Sequence, residues 1–226
     1  MTKLSKRLQE ISNLTEISDT FVDIGCDHGL LDIALANKYK NAKIIASDIN
    51  ENALNSAKKN IKASKLENRI ITIKSNGLEN IQLTKPSTVI ISGMGAHTIV
   101  GILHNGYQKI KNIQTLIIQS NNDIDFLRKK ITKLGFFIEK ERLVLDSKII
   151  YTIIIFKKGC HFYTRKQLYL GPFLIRENSI LFQKKCQQEL IKINSFYAKI
   201  PKHHWKYKYQ TWWKRKVLKQ ILSSRP

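Results

Sequence analysis

The chain has 226 residues and carries 39 Lys and Arg against 17 Asp and Glu, a formal charge of +22, with 42% apolar residues. That is enough for one domain and a substantial appendage, and the charge points to a polyanionic partner, nucleic acid first. Three scattered cysteines exclude a disulfide framework and a cysteine-based metal knuckle, and the longest apolar run, Ile149 to Phe156, is too short to cross a bilayer.

In chain order, residues 3–13 read as an amphipathic helix with Leu4, Leu8 and Ile11 on one face. The charged start lacks the apolar stretch of a secretory leader, so a reducing, cytoplasmic setting is expected. Strand and helix patterns then alternate. Strands are expected at 20–25, 43–48, 69–74, 87–92, 114–119, 136–145 and 149–156, and helices at 29–38, 51–64, 97–110 and 122–134. The runs Ile70–Ile73, Val89–Ile91 and Leu116–Ile118 lack polar alternation, the mark of strands covered on both faces of a doubly wound sheet. The last two strands follow one another with no room for a helix, so they form an antiparallel hairpin at a sheet edge. The expected architecture is α/β, a Rossmann-like sheet of seven strands with an antiparallel last strand, of the class I methyltransferase type.

The first strand ends in Asp23-Ile24-Gly25-Cys26-Asp27-His28-Gly29 and the second in Asp48, nineteen residues after Gly29. A strand, a glycine turn, a helix and a carboxylate-tipped strand make a nucleotide-binding βαβ unit. The glycines stand four apart, and Asp27 occupies the place of the middle glycine of a dinucleotide fingerprint. Asp23 and Asp27 repel a pyrophosphate but suit S-adenosylmethionine, whose amino and sulfonium groups are cationic. Asp23, Gly25, Asp27 and His28 are therefore candidate cofactor residues, with Asp48 and Ile49 at the ribose. Asn76-Gly77 is expected to line the adenine ring, although such a pair is also simply a turn. Gly93-Met94-Gly95-Ala96 ends the fourth strand, where small residues permit close approach of a flat base. Gly93 is assigned to the cofactor, and Met94 and Gly95 to the base. Asn121, in Gln119-Ser120-Asn121, is a further base candidate, or a cap for the next helix.

Beyond Lys157-Lys158-Gly159 the alternation stops. Residues 157–226 contain 17 basic residues and only Glu177 and Glu189 as acids. The expected division is a catalytic domain at 1–158 and a basic helical domain at 159–226. A connector runs to Gly171-Pro172. A helix spans Phe173 to about Ile200, with Ile175, Phe182, Cys186, Ile193 and Phe196 at heptad-like spacing. Pro201 breaks it, and a second helix from Trp205 to Leu222 completes an antiparallel pair. Its aromatics, including Trp205, Trp212 and Trp213, either stack on exposed bases or pack between the two helices. Candidate phosphate contacts are Arg7, Lys184, Lys185, Lys206, Lys208, Lys214, Arg215 and Lys216.

Leu4-Ser5-Lys6-Arg7-Leu8, Asp23-Ile24-Gly25-Cys26-Asp27-His28, Asn76-Gly77-Leu78, Gly93-Met94-Gly95 and Gly171-Pro172 occur in this order. Together they resemble the TrmK family, bacterial methyltransferases that form 1-methyladenosine at position 22 of tRNA. Two positions depart from the family pattern: Ala96 stands where glycine is usual, and Ser120 where proline is usual. The resemblance implies a Rossmann-like catalytic domain, S-adenosylmethionine and a coiled-coil-like C-terminal domain, with tRNA as partner. The ligand spacing and the short apolar runs point to no metal and no membrane, and a monomer is expected. The N1 atom of adenine has an in-plane lone pair and no proton, so its attack on a sulfonium methyl needs no general base. Asp27 is the candidate catalytic residue, as acceptor for the exocyclic amine of a ring that becomes cationic. It is equally a candidate for the cofactor's amino group. His28 is a candidate for the base or a brace for its loop. The alternatives are methyl transfer to another RNA base or to protein, or an RNA-binding protein that has lost catalysis.

Overall fold

A computed structural model of the protein describes residues 4–83, 86–201 and 203–224. It comprises two compact units, Met1–Phe162 and Tyr163–Pro226.

In the first unit a short helix, α1 (Lys6–Leu14), is capped by the Ser5 hydroxyl, which accepts from the Leu8 backbone N–H. Residue 3, the expected first residue of this helix, lies outside the described residues. The chain then alternates through β1 (Thr20–Ile24), α2 (Leu30–Lys38), β2 (Lys43–Asp48), α3 (Glu51–Ala63) and β3 (Ile70–Lys74). There follow β4 (Ser87–Met94), α4 (Ala96–Asn105), the single turn α5 (Tyr107–Ile110), β5 (Ile113–Ser120), α6 (Ile124–Lys133), β6 (Phe136–Asp146) and β7 (Ile149–Lys158). The helix expected over 97–110 is thus two, divided at Gly106, which has no Cβ to press on Leu78.

The seven strands lie in the order β3-β2-β1-β4-β5-β7-β6. β1 to β5 run parallel, and β7 is antiparallel to both β5 and β6. The β6–β7 hairpin turns on Ser147 and Lys148, both at positive φ, the geometry of a two-residue turn that matches strand twist. Phe21, Val22, Val89–Ile91 and Leu116–Ile118 are buried, as expected for strands covered on both faces. The expectation fails at β3. Ile71 is 44% exposed because β3 is the edge strand, and the cover of its outer face is incomplete.

One buried feature was not anticipated. Arg128 of α6 donates from Nε to Glu141 Oε1 of β6 at 2.7 Å, and both side chains are buried. A charged pair so deep ties α6 to the edge of the sheet.

The second unit is helical throughout: α7 (Arg165–Leu170), α8 (Pro172–Glu177), α9 (Ile180–Tyr197) and α10 (Trp205–Ser223). The connector expected up to Gly171 contains α7, opened by a reciprocal capping box between Thr164 and Gln167. The single helix expected from Phe173 to Ile200 is broken at Asn178, which adopts the left-handed conformation, and Ser179 caps the helix that follows. α9 and α10 pair antiparallel. Gln183 Nε2 donates to the carbonyls of Ile221 and Ser224, and Arg215 Nε donates to Asn194 Oδ1 at 2.7 Å. The buried side chains between them include Phe182, Cys186, Val217, Leu218 and Ile221. Phe196, expected in that seam, is exposed instead.

Candidate active site

The crossovers leave β1 and β4 in opposite directions, so a crevice opens at the carboxyl ends of these two adjacent strands. In open α/β sheets this is where ligands bind. The loop after β1 meets the tip of β2 there. The Asp48 carboxylate accepts from the Asp27 N–H at 3.2 Å and from the Asn50 N–H at 2.9 Å. Gly25 and Cys26 donate their backbone N–H to the Ser47 carbonyl. Gly25 holds φ +81°, and a Cβ there would run into the Met94 methyl. The glycine turn and the end of β4 are therefore in contact, and the methyl of Met94 faces the turn. Asp27 is itself at φ +50°, a conformation that costs a non-glycine residue and is typical of functional loops.

Asp27 and His28 are exposed at the mouth. His28 Nε2 lies 3.5 Å from Asp27 Oδ2. Its Nδ1 is 2.7 Å from the Ser56 hydroxyl, and its carbonyl accepts from Asn60 Nδ2, both on α3. These contacts tie the loop to α3. Ile49 is exposed beside Asp48. Asn76-Gly77 forms a turn in which Asn76 Nδ2 donates to Glu79 Oε1 and Gly77 is left-handed against Ile102.

Asp23 is buried beneath this loop. Burial pushes its carboxyl up from 3.8 to about 7, Arg7 opposes that shift, and Asp48 adds to it. Asp32, in the first turn of α2, is also fully buried and raised, by burial and by Asp23. Among the described residues, Asp23 Oδ1 and both Asp32 oxygens have no hydrogen-bond partner. A carboxyl raised in the folded state keeps its proton where the unfolded chain has lost it. Its contribution to stability therefore declines as pH rises from about 4 through about 7, and is flat above. Urea melts at pH 5 and pH 8 are expected to show the higher stability at pH 5, with a smaller difference in Asp23→Asn.

A second network closes the β4 side. Gln119 Oε1 accepts from Arg7 Nη1 at 2.6 Å and from the Gly93 N–H at 3.0 Å, while its Nε2 donates to Asn121 Oδ1. Asn121 Nδ2 donates to the Gly93 carbonyl at 2.8 Å. Gln119 is buried and acts as a strut, so it does not face a substrate base. Gly95 is the N-cap of α4, and the N–H of its first residue, Ala96, is held by Asn122 Oδ1. Arg7, grouped by sequence with the phosphate contacts, instead lies at this network, its guanidinium 5.6 Å from the Tyr151 ring centroid and beside Gly93. Asn121, Gly93, Met94 and Gly95 are thus gathered with Asp23, Gly25, Asp27 and Asp48 at one crevice.

The crevice fits S-adenosylmethionine on its own chemistry. A buried carboxylate oxygen that meets no partner among the described residues suits a cationic amine, and the half-buried strand-tip carboxylate of Asp48 suits vicinal hydroxyls.

The family model for tRNA (adenine(22)-N(1))-methyltransferase, TrmK, matches residues 21–222. The chain belongs to the TrmK family. It is 29% identical over 208 residues to the tRNA (adenine(22)-N(1))-methyltransferase of Bacillus subtilis, covering 88% of this chain and 86% of that one. Among solved structures, a Streptococcus pneumoniae protein in complex with S-adenosyl-L-methionine superposes with TM-score 0.88 and 29% identity, over 97% of this chain and all of that one. TrmK of M. capricolum, in complex with S-adenosyl-homocysteine, superposes with TM-score 0.85 and 27% identity, over 97% and 98% of the two chains. As a TrmK protein, the chain has the expected seven-stranded Rossmann-like fold with a helical C-terminal region.

The remaining sequence candidates lie in the second unit. Lys184, Lys206 and Lys216 are exposed, Lys185 and Lys208 half-buried. Lys214 lies over the Tyr169 ring and Arg215 over Tyr197, 4.2 Å from its centroid. Trp213 packs inward against Tyr169 and Arg165.

Proposed function

We propose that this protein transfers the methyl group of S-adenosylmethionine to N1 of adenine 22 in tRNA. The observation that carries the reading is the family match across residues 21–222, coupled to the carboxylate-lined crevice at the β1 and β4 ends. S-adenosylmethionine supplies an electrophilic methyl on a sulfonium. Asp23 is assigned to its amino group, Asp48 and Ile49 to the ribose end, and Gly25, Asn76, Gly77 and Gly93 to its backbone-lined bed.

The adenine N1 lone pair is the nucleophile, so the protein's work is positioning and charge placement. Asp27 accepts from the exocyclic amine as the ring becomes cationic. His28 is set by Ser56 and holds the Asp27 carboxylate at the mouth. Asn121 fixes the Gly93 carbonyl, whose second lone pair is a further acceptor, and Met94 with Gly95 forms the apolar floor for the base. Because N1 is on the pairing edge, adenine 22 has to leave its stack. The basic helical unit is assigned to the tRNA backbone, through Lys184, Lys185, Lys206, Lys208, Lys214, Arg215 and Lys216.

We further read the enzyme as a cytoplasmic monomer that needs no metal. A lone-pair nucleophile requires no Lewis acid. Among the described residues there is no cluster of three potential metal ligands, and no helix long and apolar enough to cross a membrane.

Asp48→Ala is expected to weaken S-adenosylmethionine binding by about 1–3 kcal/mol, since two hydroxyls lose a charged acceptor and the Asp27 N–H loses its anchor. Calorimetry giving wild-type affinity removes Asp48 from the site. Cofactor affinity is also expected to rise with pH through about 7, as the Asp23 carboxyl ionises to meet a cationic amine. The reaction itself is tested by incubating tRNA with enzyme and methyl-labelled cofactor, then identifying the labelled nucleoside by mass spectrometry. The reading requires 1-methyladenosine; label in any other nucleoside, or none, refutes it.

A further inference from the structure

We infer that the second unit carries a stacking site for an unpaired tRNA base, formed by Trp205, Tyr209 and Trp212 of α10 with Tyr197 of α9. It rests on the reading of tRNA as substrate and adds a base contact to the phosphate contacts already assigned.

α10 has two opposed faces. At 100° per residue, Val217, Leu218 and Ile221 point one way, and these are buried. Trp205, Tyr209, Trp212 and Lys216 recur at intervals of four, three and four residues, so they form one stripe on the opposite side of the helix. That stripe is open to solvent: Trp205 is 64% exposed, Tyr209 57% and Trp212 42%. Large aromatics that leave this much of their surface open on one outer face form a patch of the kind that marks contact surfaces. The rings are arranged for stacking. Tyr209 and Trp212 lie with centroids 5.7 Å apart and planes 28° from parallel. With Tyr197, Trp205 and Lys208 they line an open groove of about 270 Å³, the scale of one nucleoside.

The charges around the groove select the occupant. Lys206 lies over Trp205, Lys208 over Tyr197 and Lys216 over Trp212, at 5.5–5.7 Å. Residues 190–226 contain no Asp or Glu. An aromatic cage for a cationic ligand would not be rimmed by lysines. A flat neutral ring attached to an anionic backbone satisfies both halves of the surface, and an unpaired nucleotide is that ligand. Paired bases present no free face, so the site takes a loop or bulge base, not a helix.

The test compares the full-length protein with Trp205→Ala/Trp212→Ala and with Trp205→Phe/Trp212→Phe. Folding is checked by circular dichroism and by wild-type cofactor affinity. Stacking predicts that the alanine pair binds tRNA at least about tenfold more weakly with an unchanged salt slope, because no phosphate contact is lost. The phenylalanine pair should restore most of the binding. A short single-stranded oligoadenylate should quench tryptophan fluorescence of the wild type, while a duplex of equal length should not. If wild-type protein binds and methylates tRNA but the folded alanine pair binds it equally well, this site is refuted and the tRNA reading stands. If the alanine pair loses binding to anionic vesicles but not to tRNA, the stripe is a membrane contact and the inference is wrong. If wild-type protein binds no tRNA at all, both readings fail.

Discussion

Replacing Lys184, Lys206, Lys208 and Lys216 together with glutamine is expected to lower tRNA affinity by orders of magnitude at low salt. Each cation that meets a phosphate releases condensed counterions, at roughly 0.7–0.9 in the slope of log K against log salt. Four such contacts flatten that slope by about three. Arg215 is left in place because its hydrogen bond to Asn194 ties α10 to α9, and removing it would disturb the helical pair as well as the charge. Cofactor affinity is expected to be unchanged, since the residues assigned to the cofactor all lie between Asp23 and Gly93 in the first unit. Titration of tRNA at several salt concentrations reads both quantities. An unchanged slope makes the basic excess irrelevant to tRNA and leaves compositional lysine richness as its cause.

Arg128→Ala is expected to destabilise the first unit by about 3–5 kcal/mol, because it leaves the Glu141 carboxylate buried without its cation. Replacing both members, as Arg128→Met with Glu141→Leu, is expected to recover most of that loss. Burying two charges has a desolvation cost that apolar residues of similar volume do not incur. Denaturant unfolding of the three proteins checks it. Equal stability of Arg128→Ala and wild type would mean that the pair contributes nothing to holding α6 on β6.

The parts of this molecule that were legible in the sequence share a cause. The β-branched runs of β4 and β5 are apolar without alternation because both faces are covered, and burial writes itself directly into composition. The carboxylates near the ends of β1 and β2 were legible in position because each closes an apolar strand where the chain turns. β3 carries the same β-branched signal, yet its Ile71 is exposed. Composition reports apolar character, whereas edge position follows from strand order, which one sequence does not display.

Two features rest on contacts that the local sequence does not display. Arg7 is one basic residue in a basic chain, and nothing local distinguishes it. Its partner Gln119 lies 112 residues away, and only the fold brings them together. Arg128 and Glu141 are likewise unremarkable in sequence, because a buried charge looks like a solvated one until the helix is laid on the sheet. The break at Asn178 was missed for a different reason. Asn tolerates left-handed backbone at modest cost, so the apolar spacing runs through it without visible interruption. Asp32 stands in an otherwise apolar stretch, Leu30-Leu31-Asp32-Ile33, and that setting was the available signal that its carboxyl would be buried against Asp23.

The central claim is methyl transfer to N1 of one adenine. Its most direct test uses two tRNA transcripts that differ only at position 22, adenine in one and guanine in the other. Each is incubated with the full-length enzyme and S-adenosylmethionine, then mapped by reverse transcription, which 1-methyladenosine blocks. The account predicts one methyl group per adenine-22 transcript, a stop at that position, and neither with guanine 22. Equal methylation of both transcripts, or a stop at another position, would contradict it.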